Sequence, residues 1–272
     1  MSPRHRTALA PEPSAAVRYR SYLALDEILA AQRPRSDEHD ELLFIVIHQV
    51  YELWFKQLLH EFARAQRKLQ DGNGPQAMHT MRRIRAILKT IVSQLDVLET
   101  LTPVQYSGFR GRLEAASGFE SGQFRELEAV LGRRDRSVLE HYAPDSDERA
   151  RIAAAMSRPS VFDSFLAYLS RSGFDVPPGA RRRDVTAALA PTAEVQALLA
   201  EVYAADGEAA QVCECLVDID EGLQEWRYRH VKMVERTIGD KAGTGGSSGA
   251  SYLRQTLFRP AFPDLWAVRS RL

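Results

Sequence analysis

Apolar residues recur along this chain at three- and four-residue spacing, and no stretch alternates apolar and polar over the length of a strand. Phe44, Ile47, Tyr51, Trp54, Phe55 and Leu58 share one face, the signature of an amphipathic helix. It predicts a long helix from Glu41 to about Gln70, ended by the stop signal Asp71-Gly-Asn-Gly74. Met81, Ile84, Ile87, Leu88, Ile91 and Leu95 give a second, from Gln76 to about Leu101, and a third runs from Gln211 to about Ile238. Shorter helices are predicted at Tyr19 to Gln32, over 104–113 and 119–132, at Phe162 to Ser170 and Ala193 to Ala205, and from Tyr252, the last stopped by Pro260 and Pro263. The chain reads as all-α, a helical bundle. Residues 1–16, rich in Pro, Ala, Ser and Arg, read as disordered, and 17–272 as one domain. Within it, 133–210 reads as an insertion of small helices punctuated by Arg158-Pro-Ser160 and Val176-Pro-Pro-Gly179.

Two histidines stand out on the long helices. His48 lies one turn from Phe44 on the same face, since side chains at i and i+4 stack. His230 lies in Trp226-Arg-Tyr-Arg-His230, just ahead of Gly243-Thr244-Gly-Gly-Ser-Ser-Gly249. A glycine-rich backbone can approach a ligand closely, so a metal or haem ligand under a closing loop is one reading. A capping histidine and a flexible linker are the ordinary one. Likewise His48 taken alone reads as a satisfied core histidine. Pro103 favours a helix start, and Tyr106 and Arg110 form an i, i+4 pair on it. An arginine fork suits a carboxylate, though a surface arginine would look the same.

Taken together, three blocks resemble the tryptophan 2,3-dioxygenase family of haem enzymes. They are DELLFIVIHQVYELWFKQLLHE, the run from YSGFR through ASGFESGQFR, and HVKMVERTIGDKAGTGGSSGASYLR. A weaker match lies at Tyr19-Arg-Ser-Tyr22, and 133–210 carries little of the resemblance. The resemblance implies haem b between the long helices, ferrous for turnover, with His230 as axial ligand. It implies that His48 faces the indole N–H, that Arg110 and Thr244 hold the amino-acid head group, and that Phe44, Tyr106 and Ser117 surround the indole. Tyr19 and Tyr22 would reach a neighbouring subunit's site, in a homo-oligomer expected to be a tetramer. The implied reaction inserts dioxygen across the indole C2–C3 bond of L-tryptophan, giving N-formylkynurenine. A glycine loop over Asp240 to Ala250 is expected to be mobile without substrate and ordered with it.

The sequence departs from the family's pattern at Glu114-Ala115, where Gly-Pro is frequent, and at Glu120 in place of Gln. Glu-Ala favours helix, so a different loop is expected there. This keeps open a related oxygenase that adds one oxygen atom to a substituted, for example methylated, tryptophan in natural-product biosynthesis. A haem sensor or carrier without turnover has no need of an amino-acid clamp.

With 272 residues and 44% hydrophobic composition, the chain can bury a substantial core. Its net charge of zero argues against nucleic acid and anionic membrane as partners. The basic N-terminus and the run Arg181-Arg-Arg183 read as solvated surface. The most apolar run, Leu42 to Ile47, is far shorter than the ~20 residues of a spanning helix, and the polar, proline-rich start does not resemble a signal peptide. A cytoplasmic protein is expected. Cys213 and Cys215, two apart on a helix, point to different faces and suit neither a disulfide nor a metal clip.

Overall fold

The computed structural model describes residues 16–114, 116, 118–244 and 249–272. The reading of 1–16 as disordered lies outside these residues except at its last position, and so does the candidate Ser117. Two short helices come first, α1 (Tyr19–Tyr22) and α2 (Leu25–Leu29), where the sequence predicts one. The break falls at Ala24, whose φ of 49° turns the chain left-handed. No glycine or proline marks that turn, so the apolar spacing runs through it unaltered.

The long helices follow: α3 (His39–Gln70) and α4 (Gly74–Leu98). The predicted faces of both are buried, Phe44 and Trp54 of α3 only in part, with Leu58 and Ile84 wholly inaccessible. A fully buried leucine or isoleucine contributes about 1.5–3 kcal/mol. Glu41 near the start of α3 is only 1% exposed. Its carboxylate accepts the backbone N–H groups of Arg35 and Ser36, both at 2.8 Å, and so folds the polar connector onto the helix. Asn73 caps α4 by accepting from the Gln76 N–H.

Next come α5 (Pro103–Arg110) and, after a 3₁₀ turn at Gly118–Glu120, α6 (Gly122–Leu131). The segment 133–210 holds α7 (Asp147–Met156), α8 (Val161–Arg171), α9 (Pro178–Arg181) and α10 (Ala193–Ala204). The chain finishes with α11 (Glu208–Ile238), α12 (Ala250–Arg254) and α13 (Pro263–Ala267). No strand occurs among the described residues, and the fold is all-α. Its centre is α4, packed along both α3 and α11. Phe162 and Phe165 of α8 and Leu199 of α10 join the same core, so the insertion is welded to the long helices.

Two expectations change. Pro263 does not only stop a helix but starts α13, where its missing N–H costs nothing. Arg183 is not solvated: its guanidinium donates from Nε (2.5 Å) and Nη2 (2.7 Å) to Asp163 of α8. By length and composition alone α3 could cross a membrane, one 18-residue window reaching a mean hydropathy of 1.2. Its packing against α4, α6 and α8 is that of a core helix.

Asp220 of α11 is completely buried and ties the C-terminal segment down. It accepts the N–H groups of Ala261 and Phe262, each at 3.0 Å, and the indole N–H of Trp266 at 2.9 Å.

Candidate haem and substrate site

A cavity opens where α3, α4, α5, α6, α11 and α12 converge. It offers about 210 Å³ to the centre of a water molecule. From α3 come Phe44, His48, Glu52 and Phe55; from α11 come Trp226, His230, Met233 and Thr237. Both sets follow the spacing of one helix face, so the two helices present matching stripes, each with one histidine.

His48 Nδ1 lies 2.7 Å from the Phe44 carbonyl oxygen. A carbonyl only accepts, so the proton is on Nδ1, and in the neutral ring Nε2 is left as an acceptor. Burial holds this imidazole below its ordinary pKa, against the opposing pull of the Phe44 carbonyl and Glu52. The Phe44 ring packs 4.1 Å from His48 and 5.8 Å from Tyr106, giving flat apolar walls.

His230 stacks on Trp226 one turn earlier, with ring centroids 5.0 Å apart and planes at 15°. Burial, with His48 and Arg125 adding to it, pushes its pKa down to about 4. The ring is therefore neutral at pH 7 and keeps a lone pair. Among the described residues no hydrogen bond engages it, and no group of three His, Cys, Asp or Glu is gathered to hold a metal ion. Haem iron, by contrast, needs only one strong axial ligand from the protein.

Other features of the wall fit haem. The Trp226 Nε1 is buried without a hydrogen-bond partner among the described residues, with the Tyr51 hydroxyl nearby. The cations on the wall, Arg125 and Arg227, have side chains only 8% and 9% exposed, and haem carries two carboxylates. None of these was assigned a role from sequence. Trp226 was legible through its i, i+4 relation to His230.

Local sequence explains how α5 is aimed. Thr102 and Gln105 form a reciprocal capping box, and Pro103 occupies the first turn. This places Tyr106 on the cavity wall. Arg110, one turn on, is beside the Tyr106 hydroxyl but does not line the cavity. Its Nη2 donates to the Ala242 carbonyl of the glycine loop at 2.5 Å. Thr244 does line the cavity, and its hydroxyl donates to the Ala116 carbonyl at 2.8 Å. Two hydrogen bonds thus hold the described part of the loop against the end of α5 and the segment after it. Tyr19 and Tyr22 are each 76% exposed and reach no part of their own chain's cavity.

Glu114 stands where the family often has glycine. It has φ 49°, and the turn closes through Ala116 N–H to the Leu113 carbonyl at 2.7 Å. The departure expected to favour helix is met instead by a turn whose left-handed residue has the backbone conformation glycine adopts most readily.

The family model described as tryptophan 2,3-dioxygenase matches residues 5–173 and 183–272. The tryptophan 2,3-dioxygenase of Anaeromyxobacter sp. (strain K) is 65% identical over 95% of this chain and 97% of its own. That of Herpetosiphon aurantiacus is 54% identical over 95% and 100%, and that of Caulobacter vibrioides 45% identical over 93% and 98%. Likeness of this extent, over a cavity framed by His48 and His230, leaves one conclusion: the chain belongs to the tryptophan 2,3-dioxygenase family.

Proposed function

We propose that this protein is a haem-dependent dioxygenase that opens the indole C2–C3 bond of L-tryptophan to N-formylkynurenine. The observation that carries this is His230: a neutral imidazole on the cavity wall without a hydrogen-bond partner among the described residues. It would hold haem b, and bound ferrous haem supplies the site at which dioxygen is activated. Arg125, Arg227 and the Trp226 N–H are the groups suited to the haem's carboxylates.

The chain's own residues do the rest. Phe44 and Tyr106 sandwich the flat indole. His48 Nε2, left unprotonated by the Nδ1–Phe44 bond, accepts the indole N–H and fixes the ring's orientation. Arg110 and Thr244 trade their present partners, the Ala242 and Ala116 carbonyls, for the substrate's carboxylate and ammonium. The loop that carries Thr244 then shuts out water, and the head-group clamp sets ring and dioxygen in register. Ser117 completes the indole pocket in this reading.

The working unit is a homo-oligomer, a tetramer, in the cytoplasm. Tyr19 and Tyr22, with Leu29 at 69% exposure and Leu42 and Leu53 at 49% and 54%, leave apolar surface for a neighbouring copy, whose pocket the two tyrosines would cover. The alternative, one oxygen atom added to a substituted tryptophan, rests on Glu114-Ala115, and the glycine-like φ of Glu114 lends it no support.

The test is anaerobic addition of tryptophan to the ferrous protein, then ¹⁸O₂, with mass spectrometry of the product. Two labelled atoms in N-formylkynurenine are expected. A single labelled atom in an unopened ring would replace this reading with the alternative.

A further inference from the structure

Glu128 of α6 is 5% exposed and lies among three guanidinium groups. Its Oε2 accepts from Arg125 Nη1 at 2.8 Å, and its Oε1 from Arg133 Nη1 at 2.9 Å and Arg227 Nη2 at 3.0 Å. One carboxylate thus joins α6, the turn after it and α11. A buried carboxylate ordinarily protonates more readily, but the arginines outweigh burial and hold Glu128 below the usual range. Two of the three arginines, Arg125 and Arg227, face the cavity.

Three further acids lie around this cluster. Asp220, the other acid near Arg227, is taken up by the N–H groups of Ala261, Phe262 and Trp266. Asp135, near Arg125 and Arg133, is exposed and screened by solvent. Glu52 is the other carboxylate on the cavity wall and is held by the Gln123 amide at 2.8 Å. The cavity therefore has a guanidinium-rich side, and an anion entering it is drawn there and repelled by Glu52.

We infer that Glu128 is a positioning residue for the haem's carboxylates, holding Arg125 and Arg227 in place on the cavity wall. This rests on the haem reading above. Two consequences separate position from charge. Shortening Glu128 by one methylene keeps the charge and moves the arginines. Removing its charge leaves the iron in a more positive surrounding, which favours the ferrous over the ferric state.

The probes are haemin and haemin dimethyl ester, titrated by their Soret bands into full-length protein produced without haem. Wild type should prefer haemin by at least about tenfold, the scale of one charge-assisted hydrogen bond. Glu128→Asp should bring that preference toward unity. In haem-loaded Glu128→Gln the midpoint potential should move positive of wild type. A role in packing alone would lower the melting temperature of both variants with preference and potential unchanged, and that result overturns the inference. Should neither variant fold, the wild type decides, since equal affinity for haemin and its ester overturns the inference as well. Uptake of neither porphyrin by wild type removes the haem reading itself, and the inference with it.

Discussion

A histidine can receive a proton donor only if something has settled which of its nitrogens is bare. In His48 that is done by the carbonyl one turn back, at 2.7 Å from Nδ1, so the helix backbone selects the tautomer and the other nitrogen keeps its lone pair. Nothing in this arrangement calls for a strong base, because the indole N–H is a very weak acid. His48→Ser should retain measurable turnover, lowered by about tenfold, the worth of one oriented hydrogen bond. Its preference for tryptophan over 1-methyltryptophan, which lacks the N–H, should narrow. Ratios of kcat/KM for the two substrates test this, and a variant that binds haem and tryptophan yet is wholly inert would make His48 an essential base. Arg110 is a different kind of residue, a fork already engaged with a backbone carbonyl. Arg110→Lys should raise KM for tryptophan about ten- to a hundredfold, since a point charge does not reproduce two parallel bonds. Wild-type turnover of tryptamine as efficient as that of tryptophan would refute the carboxylate clamp.

Among the elements, those whose evidence lies in one face were legible and those defined by a single turn were not. The three-and-four spacing gave α3, α4 and α11 to within a few residues, because their buried faces are long. It missed α7, whose buried set is only Ile152, Ala155 and Met156, and it ran across the break at Ala24. Pairings distant in sequence were equally out of reach. Glu128 and Arg227 are 99 residues apart, and Asp163 of α8 meets Arg183 in the connection after α9. The second pair offers a test. Burial alone would raise the Asp163 pKa, but Arg183 and the Ser160 hydroxyl and N–H outweigh it and hold it below 3.8. A carboxyl depressed on folding contributes stability above its unfolded pKa, and loses it as pH falls through the folded value. Asp163→Asn should therefore cost about 2 kcal/mol near pH 7, and the deficit should shrink below pH 3.8. Urea unfolding at both pH values measures it, and a deficit independent of pH would assign the loss to packing.

At the scale of the whole molecule, the residues of the site were legible as a set only through likeness to a family, because no single helix carries more than part of the cavity wall. The structure brings Phe44, His48, Tyr106, Thr244 and His230 together and keeps Tyr19 and Tyr22 outside. If those two tyrosines serve a neighbouring copy, deleting the chain through Tyr22 should weaken tryptophan binding several-fold and leave haem affinity unchanged. Light scattering beside both titrations would decide it, and unaltered tryptophan affinity in the truncated protein would refute the shared site. The anchoring of the C-terminal segment on Asp220 has a bearing on how the protein is made. A nascent chain that has emerged as far as Ile238 already carries both histidines. Yet its Asp220 still lacks the donors of Ala261, Phe262 and Trp266, and a buried carboxylate without them is costly. The helix that bears His230 therefore reaches its final packing only once those residues have joined it.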